Sequence, residues 1–281
     1  MSVANRCNRG RPGQYRTWRT GRQRAREGLR CLHASPSTWC GRRHRLASGG
    51  CPLTILAIVP TQLELDSFIE SLAAMGIDGR EAPLGRLEAS VYLDGRLTVA
   101  KGGLGKAQFG IQTQHMIDNI ATVSAVLCIG TSGALAADLS VGDVVVATET
   151  VEHDFNRMLS PNPPPRFEGD AGLLSSWRSS ESLAQLPFNV HFGPVASGDE
   201  GIMSETRANE VVELTGALAV AWEGAGGARA CEFSGVPFVE IRGISDLADE
   251  TSNTDFYENL PGAMKNLAVF ARELVNLAPS N

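Results

Sequence analysis

The sequence predicts an α/β fold of three layers, on three observations. Continuous apolar runs such as Leu53–Val59 (LTILAIV) and Ala125–Ile129 (AVLCI) have the length and composition of strands buried on both faces. Segments with apolar residues at helical spacing alternate with these runs. Glycine-rich turns separate the two kinds of segment, the arrangement expected when helices cover both faces of a sheet.

The elements follow in order. After Leu53–Val59, the stretch Leu63–Met75 places Leu65, Phe68, Ile69, Leu72 and Met75 on one helical face. Ser90–Leu93 and Leu97–Ala100 flank Asp94-Gly95, a hairpin signal. Lys106–Asn119 reads as a helix. Ala125–Ile129 is followed by Gly130-Thr131-Ser132-Gly133-Ala134, expected as a turn, and Val141–Thr148 as a strand. Residues 156–188, with Pro161, Pro163, Pro164 and Pro165, are expected as a long loop with a short helix near 172–184. Val190–Ala196, Ala217–Ala221 and Pro237–Ile244 read as strands, and Phe256–Leu277 as a closing helix. There is no internal repeat.

With 281 residues and 43% apolar content, the chain can bury a large core. Its net charge of −6 is unevenly placed. Residues 1–50 hold 12 arginines against the single acid Glu27, leaving 13 bases against 30 acids for residues 51–281. So acidic a body repels phosphate, and neither nucleic acid nor an anionic membrane surface is expected as a partner. No apolar run reaches the length of a membrane helix. Residues 1–50 are expected as a disordered leader without chemistry: a transit-like segment, a basic arm, or upstream sequence read through from an arginine-biased frame. The boundary is placed at Ser48-Gly49-Gly50, with one domain over 51–281.

Six cysteines show no CxxC pair and no histidines clustered beside them, so no zinc site is expected. Cys128 and Cys231 read as buried thiols of a reducing, cytoplasmic compartment, with organelle import the alternative if the leader is real.

Turns after strands carry the sites of such folds. Three of them present a carboxylate: Glu64 after the first strand, Glu223 after Ala217–Ala221, and Asp246 after Pro237–Ile244. Each has an ordinary structural explanation as well, such as a first-turn helix acid for Glu64 or a helix cap for Asp246. The turn Gly102-Gly103-Leu104-Gly105-Lys106 lacks the GxxxxGK[ST] spacing, with Ala107 where a magnesium-holding hydroxyl would stand, and reads as a tight strand-to-helix turn.

Several segments carry a resemblance in this order: KGGLGKAQ (101–108), IGTSGALAADLSVGDVVVAT (129–148), EHDF (152–155), SGD (197–199), AVAWEGAGGARAC (219–231) and VPFVEIRGISDLAD (236–249). From Leu53 to the C-terminus the chain resembles the nucleoside phosphorylase/nucleosidase superfamily, and within it the methylthioadenosine/S-adenosylhomocysteine nucleosidases. The resemblance implies a three-layer α/β/α sandwich around a mixed, partly barrel-like sheet. It also implies hydrolysis of the N-glycosidic bond of a 5′-modified adenosine without metal or organic cofactor.

By the same resemblance Glu64 is the water-activating glutamate, Glu223 binds the ribose hydroxyls, and Asp246, oriented by Ser245, protonates purine N7. Thr131, Ser132 and Gly133 line the ribose and base pocket, Ile202 touches the base, and Trp222 stands where methionine is common. Gly201 stands where a base-stacking phenylalanine is usual. Related phosphorylases hold phosphate with arginines and a serine, where this chain has Lys101, Lys106 and Gln108, so hydrolysis is expected over phosphorolysis. The PTQLEL opening, the EIRGIS strand and Leu260-Pro261 also resemble futalosine hydrolases, which tend to carry asparagine where Asp246 stands. A non-catalytic nucleoside binder is the remaining alternative. A homodimer is expected, with Phe155 and residues 156–170 candidates for a shared pocket edge.

Overall fold

In the computed structural model, which describes residues 54–155 and 162–277, the chain opens with β1 (Thr54–Val59), buried throughout. The leader, Cys7, Cys31, Cys40, Cys51 and the start of the proline-rich loop lie outside the described residues. Thr61 ends the turn after β1 and caps α1 (Gln62–Ala74) in a reciprocal capping box with Glu64. The short β2 (Arg80–Glu81) and β3 (Ala89–Tyr92) lead into β4 (Leu97–Lys101). The β3–β4 hairpin turns through Leu93, Asp94 and Gly95, all at positive φ. The helix α2 (Lys106–Asn119) has the predicted limits.

Beyond it come β5 (Val123–Ala134), β6 (Val144–Glu152), β7 (Arg166–Glu168), α3 (Ala171–Arg178), α4 (Glu181–Ala184) and β8 (Val190–Ser197). The remainder is α5 (Glu205–Thr215), β9 (Ala219–Ala221), α6 (Gly224–Ser234), β10 (Phe238–Asp246) and α7 (Ser252–Leu277).

Alternate residues of β1 separate the two faces of the sheet. Ile55, Ala57 and Val59 pack with Phe68 and Leu72 of α1 and with Met264, Leu267 and Phe270 of α7. Leu56 and Ile58 pack with Phe109 and Met116 of α2 and with Ala228 and Cys231 of α6. That is the three-layer arrangement. The sheet is mixed: β1 pairs in parallel with β4 and β5, and β5 pairs in parallel with β10. β10 continues antiparallel to β6, which runs parallel to β8, and β8 runs parallel to β9. β9 returns antiparallel to β5, so β5, β9, β8, β6 and β10 close into a five-stranded barrel.

Several predicted boundaries differ. α7 starts at Ser252 rather than Phe256, β6 runs on to Glu152, and β7 lies in the segment expected as a loop. Two further cases have a local cause. Gly130–Ala134 is not a turn but the second half of β5, which is 12 residues long because it pairs first with β1 and at its end with β9, while β10 runs beside it. Small residues suit that double role: a β-carbon at Gly130 would lie 2.7 Å from Arg242 Nη1 and 3.0 Å from Glu64 Oε1. At the other boundary β6 begins at Val144, since Gly142 takes a positive φ that breaks the strand. Cys128 and Cys231 are free and buried, as predicted.

Candidate active site

Four segment ends converge on one cavity of about 460 Å³. β1 delivers Glu64 through the Thr61 cap, and the end of β5 delivers Thr131, Ser132 and Gly133. β9, antiparallel to β5, turns back over it and delivers Trp222 and Glu223. β10 ends in Ser245 and Asp246. The loop after β8 contributes Glu200, Gly201 and Ile202. All nine predicted site residues therefore line the same cavity, although they lie in separate parts of the chain.

Glu64 is buried and its carboxylate is fully engaged. Oε1 accepts from the Thr131 amide at 2.8 Å and the Thr131 hydroxyl at 2.9 Å. Oε2 accepts from the Thr61 amide at 3.1 Å and the Thr61 hydroxyl at 2.7 Å. The helix-cap explanation and a place in the cavity thus hold together. Asp246, only 7% exposed, accepts at Oδ2 from Ser245 Oγ at 2.8 Å and at Oδ1 from the Ala248 amide at 3.1 Å. Asn259 of α7 donates to the Ser245 carbonyl at 2.9 Å, pinning the strand end that carries them. A β-carbon at Gly133 would stand 2.9 Å from Asp246 Oδ1, so glycine makes the space this carboxyl occupies.

Glu223 sits at the start of α6, 3% exposed. The Gly105 amide donates to its Oε1 at 3.3 Å and Arg242 Nη2 to its Oε2 at 3.1 Å. Burial pushes its carboxyl up to about 7, against the pull of the Arg242 charge and with the help of Glu64. Glu223 therefore shares its time between neutral and anionic forms near neutrality.

Arg242 is the residue that sequence reasoning missed. It is 1% exposed and donates from Nε to Glu240 Oε1 at 2.8 Å, from Nη2 to Glu223, and from Nη1 to the Thr131 carbonyl at 3.3 Å. The signal was present: Glu240 and Arg242 are charges two apart, on one face of an otherwise apolar strand.

The remaining walls are less polar. Trp222, 36% exposed, brings its ring within 3.8 Å of where a Gly201 β-carbon would be, so the indole covers the space that glycine leaves open. Leu63, Leu104, Met203, Phe256 and Tyr257 complete an apolar rim. Ser132 Oγ is buried and makes no hydrogen bond among the described residues. Among the described residues Arg242 is the only cation of the lining, against Glu64, Glu200, Glu223 and Asp246. No group of three or more potential metal ligands occurs among the described residues.

A closed mixed barrel in a three-layer sandwich, with buried carboxylates around an apolar-rimmed cavity, defines a class, and residues 54–276 match the phosphorylase superfamily. The chain belongs to that superfamily. Among curated relatives, a 5′-methylthioadenosine/S-adenosylhomocysteine nucleosidase from Exiguobacterium sp. is 36% identical over 62% of this chain and 77% of its own length. An aminodeoxyfutalosine nucleosidase from Helicobacter pylori is 32% identical over 73% of this chain and 92% of its own. A crystal structure of H. pylori methylthioadenosine/S-adenosylhomocysteine nucleosidase, solved with a nucleoside-like ligand, superposes with a TM-score of 0.70 at 29% identity, covering 80% of this chain and 98% of that one.

Proposed function

We propose that the chain is a hydrolytic purine nucleosidase that cleaves the N-glycosidic bond of a 5′-modified adenosine and releases the base. The observation that carries this reading is the convergence of Glu64, Glu223 and Asp246, each buried and hydrogen-bonded, on one cavity with an apolar rim.

In the proposed mechanism Asp246, oriented by Ser245, gives its proton to purine N7, so that the base leaves with the glycosidic electron pair as a neutral molecule. The sugar becomes oxocarbenium-like, and the carboxylates around it stabilise that charge. Water adds to the anomeric carbon while Glu64 takes its proton, the Thr61 hydroxyl turning away to free Oε2 for it. Glu223 receives the ribose hydroxyls. The Ser132 hydroxyl supplies a further polar contact, and Trp222 and Ile202 border the base. Each acid–base step of this kind contributes about 10²–10⁴-fold. The donors are side chains of this protein throughout, and no cofactor enters the scheme.

Hydrolysis is favoured over phosphorolysis by the cations. Arg242 is committed to Glu223 and Glu240, Lys101 Nζ donates to Gln62 at 3.0 Å, and Lys106 Nζ is paired with Asp154 and Glu152. Lys101 keeps its charge but does not line the cavity, and neither Arg242 nor Lys106 is left unpaired to hold a phosphate dianion. The 5′ group meets the rim of Leu63, Leu104, Met203 and Tyr257, each well exposed. A homodimer whose partner covers that rim, working in the cytoplasm, belongs to the same proposal. The similarity to aminodeoxyfutalosine nucleosidase makes a bulkier 5′ substituent the second reading.

The test is base release from methylthioadenosine, S-adenosylhomocysteine, adenosine, inosine and futalosine, each with and without phosphate. Release from the 5′-thio-adenosines independent of phosphate is expected. Strict dependence on phosphate, or turnover of none of these, would overturn the proposal.

A further inference from the structure

Glu240 is a fully buried carboxylate to which the scheme above gives no task, and one of its oxygens is bound to Arg242 of the cavity lining. Its Oε1 accepts from Arg242 Nε at 2.8 Å, and its Oε2 accepts from Thr150 Oγ1 of β6 at 2.6 Å. Its space is made by Gly224, where a β-carbon would collide with both Glu240 oxygens, and Gly224 is the residue directly after Glu223. The guanidinium of Arg242 thus lies between two carboxylates, with Nε on Glu240 and Nη2 on Glu223. Cys128 Sγ, 3.4 Å from Nη2, closes a third side, and Thr131 O meets Nη1.

We infer that Glu240 is a positioning residue: it clamps Arg242 by Nε so that the Nη edge faces Glu223 and Thr131, and it takes up part of the guanidinium charge that Glu223 would otherwise have to itself.

The chemistry follows from the count of buried charges. Glu223 faces Arg242 of β10, Glu64 of α1 and the Gly105 amide before α2, while Glu240 of β10 and Cys128 of β5 lie against the same Arg242 guanidinium. Cys128 is held neutral, since burial pushes its thiol well above the ordinary value. One cation therefore serves three carboxylates in a dry setting, and it cannot neutralise them all. Were Arg242 bound to Glu223 alone, that glutamate would be held as a firm anion. With Glu240 on the opposite edge the pull is divided, so that Arg242 offsets less of the rise that burial imposes on the Glu223 carboxyl. A group poised in this way can accept both ribose hydroxyls as an anion and return to the neutral form once the sugar has left.

The experiment follows Glu223 directly. The carboxyl resonance of Glu223 in ¹³C-glutamate-labelled protein, assigned by its loss in Glu223→Gln, is titrated in the wild type and in Glu240→Gln, a variant of the same shape whose amide still meets Thr150. A fall in the Glu223 midpoint by roughly one pH unit is expected, the size of a neighbouring charge removed across a shared guanidinium. Glu240→Asp, which keeps the charge on a shorter arm, is expected to titrate close to the wild type while raising KM about fivefold or more with a smaller change in kcat. An unchanged midpoint in Glu240→Gln would overturn the inference and leave Glu240 a merely structural group.

Should Glu240→Gln fail to fold, Glu240→Asp carries the test, and an unchanged KM in that variant would refute the clamp. The KM arm rests on the proposed nucleosidase function, whereas the titration does not. A wild-type protein without turnover but with the shifted midpoint would sink the function and support the role of Glu240.

Discussion

Replacing Glu223 by glutamine should change the pH dependence of folding stability in a direction opposite to that of acids whose carboxylates are held by ion pairs. The ordinary value for its carboxyl is 4.5, and burial raises it to about 7. The native state therefore holds a proton between those pH values that the unfolded chain has released. Stability supplied by this proton is fully present below pH 4.5 and is lost as the pH rises through about 7. The interval corresponds to about 3 kcal/mol at most. Glutamine does not titrate. It cannot accept from both the Gly105 amide and Arg242, so it loses one hydrogen bond, an offset of about 1 kcal/mol that is the same at every pH.

The difference in unfolding free energy between variant and wild type should thus move by about 3 kcal/mol in the variant's favour from pH 4.5 to pH 8. The other titrating groups are common to both chains and cancel to first order. Urea unfolding with linear extrapolation at a series of pH values, at one fixed protein concentration, measures this difference. A constant difference across the range would show that Glu223 is not titrating near neutrality, and the account of its shared Arg242 would fall with it.

Asp246→Asn removes the proposed proton donor while keeping the acceptor for the Ala248 amide, so kcat should fall by about 10²–10⁴-fold with nucleoside affinity by calorimetry nearly unchanged. Undiminished turnover would remove Asp246 from the chemistry. Gly226→Ala should lower stability by about 1–3 kcal/mol in thermal unfolding, because a β-carbon there meets the Lys106 carbonyl, a backbone atom where α6 crosses α2. Gly262→Ala is its counterpart: nothing lies within 4 Å of that position in α7, and the gain in helix propensity should raise stability by about 0.5–1 kcal/mol.

Much of the secondary structure could be read from local pattern. α2 has its predicted limits, and β1 and β8 begin or end within a residue of theirs, because each buries a periodic set of apolar residues that no other local conformation would bury. β5 misled that reasoning. Its Gly130–Ala134 half carries almost no apolar side chain, and it is a strand only because β10 and β9 supply the hydrogen bonds on either side. The residues 205–215, now α5, showed too weak a pattern to be singled out, with only Ala208, Val211 and Thr215 buried.

Glu64, Glu223 and Asp246 could be named because each lies at or within a few residues of a strand's end, and because the surrounding segments resemble a family. Arg242 could not be chosen in that way, since a lone arginine in an apolar strand states its burial but not its partners.

Taken alone, the amino-acid order determined most of the strands and helices, that the layers alternate, and which acids stand near strand ends. These properties depend on neighbours a few residues away. Tertiary structure decided the closure of β5 onto β10 and β9, the pairing of one guanidinium with both Glu223 and Glu240, and the neutral-range titration of Glu223. Those depend on how much water is excluded and which charge lies opposite, and both are set by segments that meet only when the barrel is closed.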